Sequence, residues 1–87
     1  MATSTIKSGL FTASVTDTTS STGWVLLKLN SANVSINTYD VVSAYVNGKV
    51  CIPFASGNIW YVKVCEYVTM SATASEQVTV NFTARRK

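Results

Sequence analysis

Between Tyr39 and Val68 the chain reads YDVVSAYVNGKVCIPFASGNIWYVKVCEYV, a run in which strict alternation fails to separate apolar from polar residues. Successive residues of a strand point to opposite faces, and Asn-Gly is a strong signal for a two-residue hairpin turn. A turn at Asn47-Gly48 sets Val46 opposite Lys49. One face then gathers Val41, Ser43, Tyr45, Val50, Ile52 and Phe54, and the other Val42, Ala44, Val46, Cys51 and Pro53. A further strand carries Trp60, Val62 and Val64 on one side and Tyr61, Lys63, Cys65 and Tyr67 on the other, after a turn at Ala55-Ser56-Gly57-Asn58. Neither face is wet. A chain of 87 residues has one core to fill, so the second apolar face is expected to meet another copy of the chain.

The remaining segments also read as short strands rich in Thr, Ser and Val. Expected strands run from about Gly9 to Val15, Gly23 to Asn30, Tyr39 to Val46, Lys49 to Phe54, Ile59 to Val68 and Gln77 to Arg85. Within the second, Val25, Leu27 and Leu29 share one face. Between Ser31 and Thr38, Val34 and Ile36 are expected to tuck inward. The last strand has a clean period of two: Val78, Val80, Phe82 and Ala84 point one way and Thr79, Asn81, Thr83 and Arg85 the other. About six to seven strands with turn signals at this spacing indicate an all-β fold, a small antiparallel β-sandwich or flattened barrel. Residues 1–8 read as an N-terminal arm or shaft remnant, and residues 9–87 as a single domain.

Charge narrows the choice of partners. Charged residues are 13% of the chain, against about 25% in an ordinary soluble domain. The net charge is +3, but Arg85, Arg86 and Lys87 supply three of the seven basic residues at the extreme C-terminus. Lys7, Lys28, Lys49 and Lys63 are spread singly along the rest. A nucleic-acid binder needs a basic stripe, so no nucleic acid is expected. No run approaches the roughly 18 apolar residues of a membrane helix, and no signal-peptide core is visible. Membrane insertion is not expected, and synthesis in a cytoplasm, without a secretion route of its own, is.

Catalytic chemistry is poorly supplied. The chain has no histidine and four well-separated acids, whereas acid-base work needs such groups held together. Asp17 and Asp40 read as backbone caps, and Glu66, in phase with Val62 and Val64, as a rim residue or a lysine's partner. Cys51 and Cys65 are expected as free buried thiols: with Phe54 opposite Trp60, Cys51 faces Lys63 and lies only diagonal to Cys65, poor geometry for a disulfide. With no CxxC and no histidine, no metal and no cofactor is expected. Binding chemistry is better supplied, because Trp and Tyr offer broad rings with polar tips. Tyr39, Tyr45, Tyr61 and Tyr67 are the candidate ligand-binding residues. Trp24, Val50, Ile52, Phe54, Trp60, Val62, Val64, Val80 and Phe82 are expected in the core or in assembly contacts.

The order of segments GLFTASVTDTTSSTG, YDVVSAYVNGKVCIPF, NIWYVKV and QVTVNFTARR, spanning about Ile6 to Arg85, resembles the small β-sandwich head domains that end phage tail-fibre and baseplate proteins in phages of gut bacteria. Trp60, Tyr61 and Val62 match the W-Y-V strand of such heads, and Val78, Thr79, Val80 and Phe82 their terminal strand. The resemblance implies a homotrimer in the virion, at the tip of a tail fibre or other surface appendage, alongside other virion proteins. It implies receptor binding during host attachment, with a bacterial surface glycan or protein as the partner. The alternative is a purely structural trimerisation cap or capsid-decoration fibre. No individual binding residue carries over, because the contacts of such heads vary with the host.

Overall fold

The computed structural model describes residues 9–87, so the arm expected at residues 1–8 lies outside the described residues. Every regular element within them is a strand: β1 (Leu10–Thr18), β2 (Trp24–Leu26), β3 (Lys28–Leu29), β4 (Ala32–Asn33), β5 (Tyr39–Tyr45), β6 (Lys49–Ser56), β7 (Ile59–Glu66) and β8 (Gln77–Arg86). They form three antiparallel sheets, ordered β1-β8-β5, β2-β7-β6 and β3-β4. The two three-stranded sheets enclose one core in a sandwich-like, all-β arrangement.

The central strand of each larger sheet supplies the centre of that core. On β8, Val78, Val80, Phe82 and Ala84 all point inward, and Val80 and Ala84 are fully enclosed. On β7, Val62 and Val64 do the same, and Val25, Leu27, Val34, Val41 and Val46 complete the packing. The expected period of two on β8 is therefore realised, with Thr79 and Asn81 outside. The strand expected over Gly23 to Asn30 divides at Leu27. There the Leu27 amide still bonds Trp60 O (3.1 Å) while its carbonyl accepts from Val34 N (3.3 Å), and the chain leaves β7 to form the β3-β4 hairpin. Asn30 and Ser31, both at positive φ, make the two-residue turn.

The hairpin expected across Asn47-Gly48 does not form. The turn closes, Lys49 N donating to Val46 O at 3.1 Å, but it carries the chain from one sheet to the other: β5 pairs with β8 and β6 with β7. Two strands that each carry an apolar face bury more by stacking across the core than by lying side by side. A bulge also resets β5. Val41 and Ser43 pair with the consecutive residues Ala84 and Thr83, leaving Val42 as the extra residue. Val41, Ala44 and Val46 therefore turn inward, while Val42, Ser43 and Tyr45 are exposed.

The β6-β7 hairpin forms, in a different register. Its turn is the two residues Gly57-Asn58, both at positive φ (56° and 71°), the requirement of a type I′ turn. Phe54 consequently sits opposite Tyr61 rather than Trp60, and Cys51 opposite Val64 rather than Lys63. Residues directly opposite share a face, so Cys51 faces the core with Val64, and Cys65 lies on the reverse side with Val50. The two thiols are free. Pro53 lies on β6, at the edge of its sheet, where it leaves one position without an N–H for an added strand.

Candidate functional site

The outward faces of the two larger sheets are chemical opposites. The β1-β8-β5 face carries Thr12, Ser14, Thr16, Ser43, Thr79 and Asn81, all exposed, with Thr16 and Thr79 hydroxyls bonded at 2.9 Å. A depression of about 340 Å³ there is bordered by Thr12, Ser14, Ser43, Tyr45, Asn81 and Thr83, and the Tyr45 hydroxyl donates to Asn47 Oδ1 (3.1 Å). The β2-β7-β6 face is apolar. In the strand registers its outward positions are Trp24 and Leu26 on β2, Tyr61, Lys63 and Cys65 on β7, and Val50, Ile52 and Phe54 on β6.

Three rings on that apolar face form a groove. Trp24 meets Phe54 edge to face at a centroid distance of 5.3 Å and Tyr61 at 6.3 Å, within the 4.5–7 Å range in which aromatic pairs attract. Register explains the cluster: Leu26 and Phe54 flank Tyr61 on its two sides, and Trp24 lies beside Lys63, one outward position along. The groove has a volume of about 470 Å³ and is lined by Trp24, Phe54, Ala55, Ser56 and Tyr61. Phe54 is 46% exposed at its wall. Lys63 Nζ stands 5.1 Å from the Trp24 ring centroid, a cation–π distance.

Of the candidate ligand-binding tyrosines, Tyr61 lines this groove and Tyr45 borders the hydroxyl-bearing depression on the opposite side. Tyr39 packs edge to face on Phe11 at 5.6 Å, against the core. Tyr67 is 72% exposed and lies beyond β7. The structure does not bring the four together. Among the residues expected in the core or in assembly, Val62, Val64, Val80 and Phe82 are buried and Trp60 packs partly on them. Trp24, Val50, Ile52 and Phe54 lie outside the core, on the outward face, because alternation on β2 and β6 sends Val25, Cys51 and Pro53 inward. Lys63 is the residue that sequence reasoning undervalued. Its signal was a single lysine between Val62 and Val64 in an otherwise apolar strand.

The acids have structural partners. Lys49 Nζ donates to both Glu66 carboxylate oxygens (2.9 and 3.0 Å) and lies 3.5 Å from Glu76 Oε2. The buried Thr73 hydroxyl donates to Glu66 Oε2 at 2.7 Å, and Glu76 N donates to Thr19 Oγ1 at 2.9 Å. These bonds tie the connection between β7 and β8 to the sandwich end. Asp17 Oδ1 accepts from Thr18 N (2.8 Å), and Asp40 pairs with Lys87 (3.5 Å). Among the described residues, no three of His, Cys, Asp and Glu gather as a metal-ligand group.

The Thr73 hydroxyl, then Lys49, hold the Glu66 carboxyl below its ordinary range, and the Glu66 hydrogen bond raises Lys49. A depressed carboxyl contributes stability above its unfolded pKa and loses it as pH falls through the folded value. Glu66→Gln is therefore expected to flatten the acid limb of the stability profile below the ordinary glutamate pKa, with little change in shape near neutrality. Thermal melts from pH 3 to 7 check this, and an unchanged acid limb would contradict it.

Burial, then the nearby Cys65, pushes the Cys51 thiol up to about 11. At pH 8 it is held as the unreactive thiol, and Cys65 is buried. In the native protein both are expected to resist a thiol-specific reagent at pH 8 and to react on unfolding, with an intact mass that shows no loss of two hydrogens. Rapid native labelling would refute this.

Comparison with protein families, with curated proteins and with solved structures finds no match to the chain.

Proposed function

We propose that this chain is a non-enzymatic viral binding module, the receptor-binding tip of a phage tail fibre that recognises a bacterial surface glycan. The observation that carries the reading is the three-ring groove of Trp24, Phe54 and Tyr61, held on paired strands and open to solvent. A sugar ring offers a C–H face that packs on an aromatic ring, while its hydroxyls bond polar tips such as Tyr61 and Ser56. The volume of about 470 Å³ lies within the usual range of roughly 300–1,000 Å³ for ligand sites. The segment order described above supports the viral setting, and with it a homotrimer in the virion.

A second reading, a structural trimerisation cap or capsid-decoration fibre, is favoured by the apolar belt of Leu26, Val50 and Ile52 beside the groove, which extends beyond what stacking one sugar needs. The deciding experiment incubates fluorescently labelled protein with a panel of gut bacteria before and after removal of their surface glycans. Glycan-dependent staining that is lost in Phe54→Ser, with the variant's fold intact, is the expected result. Staining of no strain would favour the structural reading, and staining indifferent to glycan removal would point to a protein receptor in place of a glycan. Light scattering tests assembly: a trimer is expected, and a mass near 9.4 kDa at micromolar concentration would overturn it.

A further inference from the structure

The groove has a charge at its side that no carboxylate among the described residues neutralises. Lys63 is the middle residue of the outward row on β7, directly opposite Trp24 on one side and Ile52 on the other. It is half-buried among apolar neighbours, unlike Lys28, Arg85 and Arg86, which are exposed at strand positions open to water. The chain has four acids, and all are described and engaged elsewhere: Glu66 and Glu76 with Lys49, Asp40 with Lys87, and Asp17 with the Thr18 amide. Among the described residues, the Lys63 ammonium stands over the Trp24 ring, 5.1 Å from its centroid. That same ring lines the groove.

This arrangement discriminates between occupants. A second copy laid face to face would bring two ammonium groups into an apolar contact that contains no carboxylate. Removing unpaired charge from water in that way offsets the gain from burying large apolar side chains in the same contact. An occupant that brings its own anion reverses the balance, because a charge-assisted hydrogen bond to Lys63, beside the Trp24 ring that lines the groove, offsets the desolvation. We propose, resting on the glycan reading above, that the groove takes an acidic glycan: a sugar ring stacks on Trp24 and Tyr61, and its carboxylate or other anionic substituent pairs with Lys63.

The test uses matched probes. Oligomers of galacturonic acid, of glucuronic-acid-containing chains and of sialic acid are titrated into the protein at low and at physiological salt, each beside its methyl-esterified, uncharged counterpart, with calorimetry as the readout. At least one acidic probe is expected to bind tenfold or more tightly than its ester, with the difference shrinking as salt screens the pair. Lys63→Gln should abolish that preference and keep weak binding of both forms. Lys63→Arg should retain the preference. Phe54→Ser, which opens the groove wall, should weaken both forms alike. If no acidic probe outbinds its ester, or if Lys63→Gln keeps the preference, the inference is overturned. Bacterial staining separates this from the broader reading: glycan-dependent staining unaffected by Lys63→Gln would sink the acidic assignment and leave glycan recognition standing, whereas absent staining would sink both.

Discussion

Gly23→Ala is expected to lower the melting temperature more than any other single change to a small residue. Gly23 has φ +86°, and a Cβ at this position would stand 2.6 Å from Val64 O and 3.2 Å from the Ala72 side chain. The approach is close because Val64 N bonds Gly23 O (2.8 Å) while Val64 O accepts from Thr73 N (2.9 Å), so β2's start and the connection after β7 crowd one residue. A left-handed backbone costs an L-residue about 1–2 kcal/mol, and the clash with a backbone carbonyl cannot be relieved by a rotamer change. The total is expected to reach about 3 kcal/mol, which for a domain of this size is a fall of roughly 12–24 °C. Calorimetry on the variant checks it. A Tm within about 2 °C of the parent's would mean that β7 and the connection can part at little cost.

Trp60→Ala is expected to cost about 3–5 kcal/mol, through lost burial and the cavity left behind. Trp60 faces inward with Val62 and Val64, packs on the core, and donates its indole N–H to Tyr39 O at 3.1 Å. That bond joins β7 in one sheet to β5 in the other. Its partial exposure places the expected value toward the lower end. Trp60→Phe separates the two contributions, since it keeps most of the apolar contact and forfeits only the hydrogen bond, worth about 1 kcal/mol. Denaturant titration of both variants is the measurement. If Trp60→Ala unfolds at the parent's midpoint, the side chain is peripheral to the fold.

An apolar outward face bearing a cation without a carboxylate partner among the described residues is poorly suited to isologous self-contact, and β6 is interrupted for strand addition by Pro53. Assembly through the remaining edges or ends would leave the groove open to a ligand. The hydroxyl-bearing face on the other sheet, with Tyr45 and Asn81 at its depression, is a separate, polar surface of the same domain.

Side-chain alternation was legible from the sequence: Val78 to Ala84 on β8, Val62 and Val64 on β7, and Val25 on β2 with Leu27 just past its end all point inward as their spacing requires. The all-β class follows from the same pattern, because a period of two has only one regular backbone that satisfies it. Which strands pair did not follow. Asn47-Gly48 is a good turn in either setting, and whether it joins neighbours in one sheet or crosses to the other depends on long-range competition with β7 and β8. The bulge at Val42 is equally non-local, since it exists only relative to Ala84 and Thr83. One residue of register at Gly57-Asn58 decided that Cys51 faces Val64 and that Phe54 meets Tyr61. The groove was therefore hidden in the sequence, whose aromatic residues could be counted but not sorted into core and surface. Tertiary structure made that choice: both sheets spend one apolar face on a shared core, and only the layer arrangement determines which rings, and which lone lysine, remain outside.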